Sequence, residues 1–173
     1  RSKLAFWICG LVNNIVFVVY LSAAEDLLET KAGVILLLSV LPGLVTKALL
    51  PFFADRLSYL FRIGLTSISL CLCCIGVAES VSTPPRLAFL GISSCVGSLG
   101  EVTFLALTSQ HDATTVGAWS SGTGFAGVTG ASVYYVIRSV LGLSSRQALL
   151  FVSPISLLML MTYVFFLRPS EFQ

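Results

Sequence analysis

A chain of 173 residues with 56% hydrophobic and only 10% charged side chains cannot build the polar skin of a soluble domain, where about 25% of residues are charged. With 10 Lys and Arg against 8 Asp and Glu the formal net charge is +2, and no basic run offers a surface to nucleic acid. The composition excludes a soluble globular domain and a nucleic-acid-binding module and leaves an all-α protein of the lipid bilayer.

A bilayer core of about 30 Å needs about 20 apolar residues of helix, and six runs satisfy that length: 4–24, 33–53, 59–77, 87–108, 115–137 and 148–167. Short breaks at 25–31, 54–58, 79–86, 109–114 and 138–147 carry most of the charge and turn residues, so sequential spans are expected to be antiparallel neighbours in a single six-transmembrane-helix bundle. Arg1 and Lys3 precede the first run, whereas Glu25, Asp26 and Glu29 follow it with Lys31. The positive-inside rule then places the N-terminus in the cytoplasm; Arg138 and Arg146 in later breaks add little to that assignment.

Along the chain, a few residues interrupt the apolar pattern. Asn13 and Asn14 lie midway along the first run, about 100° apart on a helix, so at least one faces neighbouring helices, either as packing glue or as a substrate contact. Lys47 lies inside the second run between Pro42 and Pro51; prolines kink a membrane helix, harmlessly or as part of a broken binding segment. The stretch FFADRLSYLFR then joins the second and third runs, and its Asp-Arg pair with a following basic residue resembles a loop signature of major facilitator transporters. Cys71, Cys73 and Cys74 in the third run, with Cys9 and Cys95 elsewhere, read as small apolar side chains. The only histidine, His111, is distant from them in sequence, and no metal site is expected.

Glu101 sits deep in the fourth run. An ionisable residue at a helix centre costs about 2.5–3.5 kcal/mol, so such residues usually face a bundle interior or a wet cavity. Desolvation favours the neutral form of a carboxyl, which makes Glu101 a candidate proton carrier. Lys47 would pair with Glu101 or attract an anionic substrate; the alternatives are structural residues, paired or simply neutral, or a Lys47 that snorkels to a helix end.

The fifth run contains WSSGTGFAGVTGA, whose Gly122, Gly124 and Gly127 spell G-x-G-x-x-G. A dinucleotide loop needs a preceding strand and a downstream acid, yet no Asp or Glu occurs between Asp112 and Glu171. The glycines are instead expected to be a helix-packing strip, with Ser120/Gly124 and Gly127/Ala131 as small pairs and Gly124, Gly127 and Gly130 recurring every third residue. Ser120, Ser121 and Thr123 form a hydroxyl-rich end of that strip. One histidine near a loop and no dense acidic cluster argue against an enzyme, and no cofactor is expected.

Four blocks together, FWICGLVNNIVFVVYLSAAEDLL, VLPGLVTKALLP, SLGEVTFLALT and WSSGTGFAGVTGA, resemble the N-terminal half of the battenin family in the family's order. The resemblance implies a polytopic lysosomal or vacuolar membrane protein related to major facilitator-type transporters, acting on glycerophosphodiesters or basic amino acids with a role in organelle pH. On its matching positions, Glu101, Lys47, Asn13, Asn14, Ser120, Ser121 and Thr123 are the substrate or proton-coupling candidates. The chain departs from the family pattern at Ser39, which stands where an acid is usual, and at Ser98 and Phe125, which replace glycines. Because the family fold has two halves, the resemblance further implies a partner: a C-terminal six-span half of the same protein or a second copy, with a small solute and protons between them. A membrane scaffold or trafficking factor is the second reading.

Overall fold

The computed structural model describes residues 1–28 and 32–167; Glu29, Lys31 and the tail from Arg168 lie outside them. Among the described residues every regular element is helical. In order these are α1 (Ser2–Leu27), α2 (Ala32–Leu49), α3 (Tyr59–Glu79), α4 (Thr83–Thr108), α5 (Thr114–Tyr135), α6 (Ser145–Val152) and α7 (Leu157–Thr162). The last two are joined by a 3-10 segment, Ser153–Ser156, and α7 runs on into a π turn, Tyr163–Leu167. Together they make one apolar rod, Ser145–Leu167.

Five of these rods are long and apolar enough to cross a membrane. The exception is α5, which has 22 residues but whose glycines, serines and threonines dilute its hydropathy. The expected six spans are therefore six helical rods, of which five meet the criterion.

The boundaries follow local chemistry. Pro84 and Pro85 do not lengthen the preceding break; they occupy the first turn of α4, where a missing N–H leaves no intrahelical bond unmade. Ser58 caps α3 by accepting from the Phe61 amide at 3.3 Å. Ser144 and Gln147 form a reciprocal capping box at the start of α6. Between α5 and α6, Gly142 takes φ +66, and the Leu143 amide reaches back to the Ile137 carbonyl at 3.1 Å, a closure that requires a residue tolerant of the left-handed region. Glu25 and Asp26 belong to the last turn of α1 rather than to a loop.

The expectation of sequential antiparallel neighbours holds for α3 and α4, while the most extensive packing joins rods that are not consecutive. α1 lies along α5 and α2 along α4, while α3 packs on α4 and on the sixth rod, which also covers α1. Gly10 faces Thr123 and Gly130 faces Val18, so α1 and α5 run in the same direction; Gly43 against Ser94 and Lys47 against Glu101 make α2 and α4 parallel too. Gly76 against Phe89 and Thr66 against Gly100 make α3 and α4 antiparallel. Exchanging each of the first three rods with the one three places later leaves these pairings unchanged. Short connections constrain only rod ends, and the choice of long-range partner falls to the small residues that let two backbones approach.

At α1–α5 those residues are Gly10, Gly122 and Gly130. A methyl group on Gly122 would collide with the Trp7 carbonyl, one on Gly10 with the Trp119 carbonyl, and one on Gly130 would lie 2.8 Å from Val18 Cβ. The working strip is thus Gly122, Ala126 and Gly130, all buried at four-residue spacing. Gly124 and Gly127 meet nothing on their outer side, and Ser120 and Ser121 are exposed with them. Of the strip expected from the sequence only Gly130 reaches the contact; Gly124, Gly127 and the Ser120/Gly124 and Gly127/Ala131 pairs face outward, because a helix turns 300° over three residues and the glycine ladder winds off the contact.

The apolar core forms two clusters along α1. One gathers Val16, Tyr20, Ala23, Cys74, Leu90 and Leu149; the other gathers Phe6, Cys9, Phe104, Trp119 and Met159, with the Phe104 and Trp119 rings stacked at 5.0 Å. Asn13 falls between them in sequence. α2 has the smallest buried share of the five apolar rods.

Candidate functional site

A cleft of about 210 Å³ opens between α1, α2 and α4, with Leu70 of α3 at its edge. Its apolar surface comes from Phe17, Val40, Leu44 and Leu70, and its polar groups from Asn13, Asn14, Lys47, Glu101 and four serines, Ser39, Ser93, Ser94 and Ser98. The four central candidates read from the sequence therefore meet in one place. Parallel packing of α2 and α4 is what brings Lys47 and Glu101 level.

Lys47 Nζ and Glu101 Oε2 pair at 2.5 Å, with side chains 44% and 28% exposed. The ammonium and carboxylate thus partly neutralise each other at the rim while remaining reachable from the cleft. Asn14 Nδ2 donates to the Gly10 carbonyl at 3.0 Å and to Thr123 Oγ1 at 3.3 Å. It links the cleft to α5, and Thr123 takes part only through this bond. Asn13 Nδ2 donates to the Gly97 carbonyl at 3.4 Å, tying α1 to α4. Ser120 and Ser121 stand on the far face of α5, do not line the cleft, and are not brought to the site.

Ser93 and Ser94 were not singled out from the sequence, and Ser39 and Ser98 only as departures from the family pattern; the serines shape the α2–α4 seam. Ser94 Oγ donates to the Ser39 carbonyl at 2.7 Å and accepts from the Gly43 amide at 2.9 Å. Those two groups are one helical turn apart beside Pro42, which has no amide of its own to donate. A hydroxyl from α4 thus bridges the backbone of α2 where proline disturbs its ladder. A methyl group on Gly43 would lie 2.5 Å from Ser98 Oγ and 2.7 Å from Ser94 Oγ, so glycine is required for the approach. The signal in the sequence was P-G on α2 opposite S-x-x-x-S on α4. Ser39 itself lines the cleft and donates to the Leu36 carbonyl at 2.8 Å. The partner of Lys47 is therefore on α4, and no acid at position 39 is needed to form its ion pair.

At the opposite end of α1, Asp26 Oδ2 accepts from Tyr134 at 2.6 Å, Ser145 at 3.1 Å and Arg138 at 3.3 Å, and Arg146 pairs with Glu79 at 2.7 Å. These bonds clasp α1, α5 and α6, and α3 to α6, away from the cleft. Among the described residues no three His, Cys, Asp or Glu side chains gather as a metal-binding set. His111 packs edge-on against Phe6 at 5.1 Å.

The profile of the family described as CLN3 protein matches residues 4–173. Protein BTN1 of Yarrowia lipolytica is 38% identical over 176 residues, covering 97% of this chain and 43% of that protein. Protein BTN1 of Cryptococcus neoformans is 40% identical over 164 residues, 87% of this chain and 32% of that protein. Protein btn1 of Schizosaccharomyces pombe is 35% identical over 169 residues, 96% of this chain and 43% of that protein. The chain thus spans less than half the length of these relatives. No solved structure matches it.

Proposed function

Because the chain belongs to the CLN3 (battenin) family and is a multi-pass membrane protein, we propose that it forms one wall of a solute path through a lysosomal or vacuolar membrane. The observation that carries this reading is the convergence of Asn13, Asn14, Lys47 and Glu101 on one cleft. Helices that only fill a bilayer have no need of a reachable ion pair; a transport site does, because a charged solute or a proton can compete for either partner. The pairing of rods across a three-rod exchange supports a major facilitator-type half built of two inverted repeats, with substrate bound where two such halves meet. The second wall is then the C-terminal half of the same protein, as the relatives' greater length supports, or a second copy.

In this mechanism Glu101 exchanges a proton or binds a cationic group, releasing Lys47 toward an anionic one. Asn14 and the cleft serines offer neutral hydrogen bonds. Glycerophosphodiesters and basic amino acids both carry the charges such a pair would sort, and their export would affect organelle pH. The N-terminus faces the cytoplasm.

The test is flux of each solute class in vesicles reconstituted with full-length protein, across a pH gradient. Glu101→Gln is expected to remove the pH dependence and lower flux at least about tenfold, equivalent to about 1.4 kcal/mol of barrier. Unchanged flux across the pH range would remove Glu101 from coupling. The ion pair is also compatible with a non-transporting scaffold, which would give no saturable flux for any solute in the wild-type protein.

A further inference from the structure

Behind the cleft wall, a set of polar groups is sealed inside the bundle without partners. Asn13 Oδ1, Thr66 Oγ1, Thr103 Oγ1 and Arg62 Nε are all buried and none makes a hydrogen bond among the described residues. Their residues are 2%, 0%, 0% and 4% exposed respectively, and they come from α1, α3 and α4. Natural interiors leave few such groups unsatisfied, and several together point to a common ligand.

Their placement is continuous. A methyl group built on Gly100 would sit 2.5 Å from Asn13 Oδ1 and 2.9 Å from Thr66 Cγ2, so Asn13 and Thr66 converge over Gly100. From there Thr103 lies three residues along α4, about 4.5 Å, and Arg62 four residues back along α3, about 6 Å. Because α3 and α4 are antiparallel, both steps lead toward the same end of the bundle. Arg62 ends the row with its guanidinium over the Tyr59 ring at 4.3 Å, and no carboxylate pairs with it among the described residues.

We propose that this seam is a binding site for ordered water, running from Asn13 at the cleft to Arg62 at the opening turn of α3. The groups suit that ligand. The guanidinium Nε–H only donates, the Asn13 carbonyl oxygen only accepts, and the two threonine hydroxyls do either, so a short file of waters can give each a partner. A buried guanidinium with no counter-ion among the described residues calls for such solvation, since an aromatic face meets only part of its demand. Asn13 bridges the two compartments: its amide donates to Gly97 on the cleft side while its carbonyl oxygen turns to the seam. The segment of α4 that carries Glu101 is thereby hydrated from behind as well as from the cleft. This inference stands on buried side chains alone and does not depend on transport.

Thr66→Val and Thr103→Val in the full-length protein test it, because valine keeps the shape and removes the hydroxyl. With water in the seam, each variant lowers the thermal midpoint by about 2 °C or more, and the double variant departs from the sum of the singles because the hydroxyls share waters. In a dry seam each substitution relieves an unsatisfied group, and a raised, additive midpoint overturns the proposal. Radiolytic hydroxyl labelling gives a readout apart from stability. Labelling at buried Ile63, next to Arg62, is expected to exceed that of equally buried Leu149 several-fold and to fall in the double variant. Equal labelling of Ile63 and Leu149 in the wild-type protein also overturns it.

Discussion

Lys47 and Glu101 each break the apolar pattern of a rod, and each alone at a helix centre would cost about 2.5–3.5 kcal/mol. Meeting at 2.5 Å across α2 and α4, they offset part of that cost and hold the two rods in register. Since both remain partly exposed, the net value of the pair in the resting protein is modest, about 1 kcal/mol or less. Lys47→Glu and Glu101→Lys are each expected to lower the thermal midpoint of the full-length protein, and the double reversal to recover it. A double-mutant cycle with no coupling energy would show that the two charges do not sense each other. Both residues were legible as anomalies in the sequence. Their pairing was one of two roles the sequence left open for Lys47, and the choice between them depends on two rods that are not consecutive running parallel.

At the scale of single helices, the glycine-rich α5 shows how spacing and context divide similar residues. Gly122 and Gly130 touch α1, whereas Gly124 and Gly127 have open space beyond them. Gly122→Ala forces a methyl group against the backbone of Trp7 and is expected to cost about 1–3 kcal/mol. Gly124→Ala and Gly127→Ala are expected to be neutral or to stabilise by up to about 1 kcal/mol, through helix propensity. Thermal unfolding of the three variants in one detergent separates them, and equal losses at all three positions would contradict the assigned contact face. The element's identity as a packing helix was readable from its small residues and the absence of a downstream acid. Its contact face was not, since small residues surround the helix and only the partner's position selects among them. The same holds for the sixth rod: its apolar length was evident, while the 3-10 interruption at Ser153–Ser156 follows from Pro154, which the hydropathy pattern does not register.

For the whole molecule, three rods separate the parallel partners α1 and α5 and one separates α2 and α4, as alternating crossings require, and α5, which lies along α1, is expected to cross the membrane too despite its weak hydropathy. Cysteines introduced at Gln110 and Leu141, which flank α5 and are exposed, are expected to react with a membrane-impermeant maleimide from opposite sides in a background without the native cysteines. Labelling of both from one side would show that α5 lies within one face of the membrane. Helical class, a membrane setting, the approximate rod limits and the family resemblance were all determined by the sequence, because bilayer length and apolar composition act on each segment separately. The pairing of the rods, the choice of Glu101 as the partner of Lys47, the Ser94 bridge at Pro42 and the buried row from Asn13 to Arg62 were decided only by the tertiary structure. Each depends on how closely two backbones can approach, a property of two surfaces together that no single segment carries.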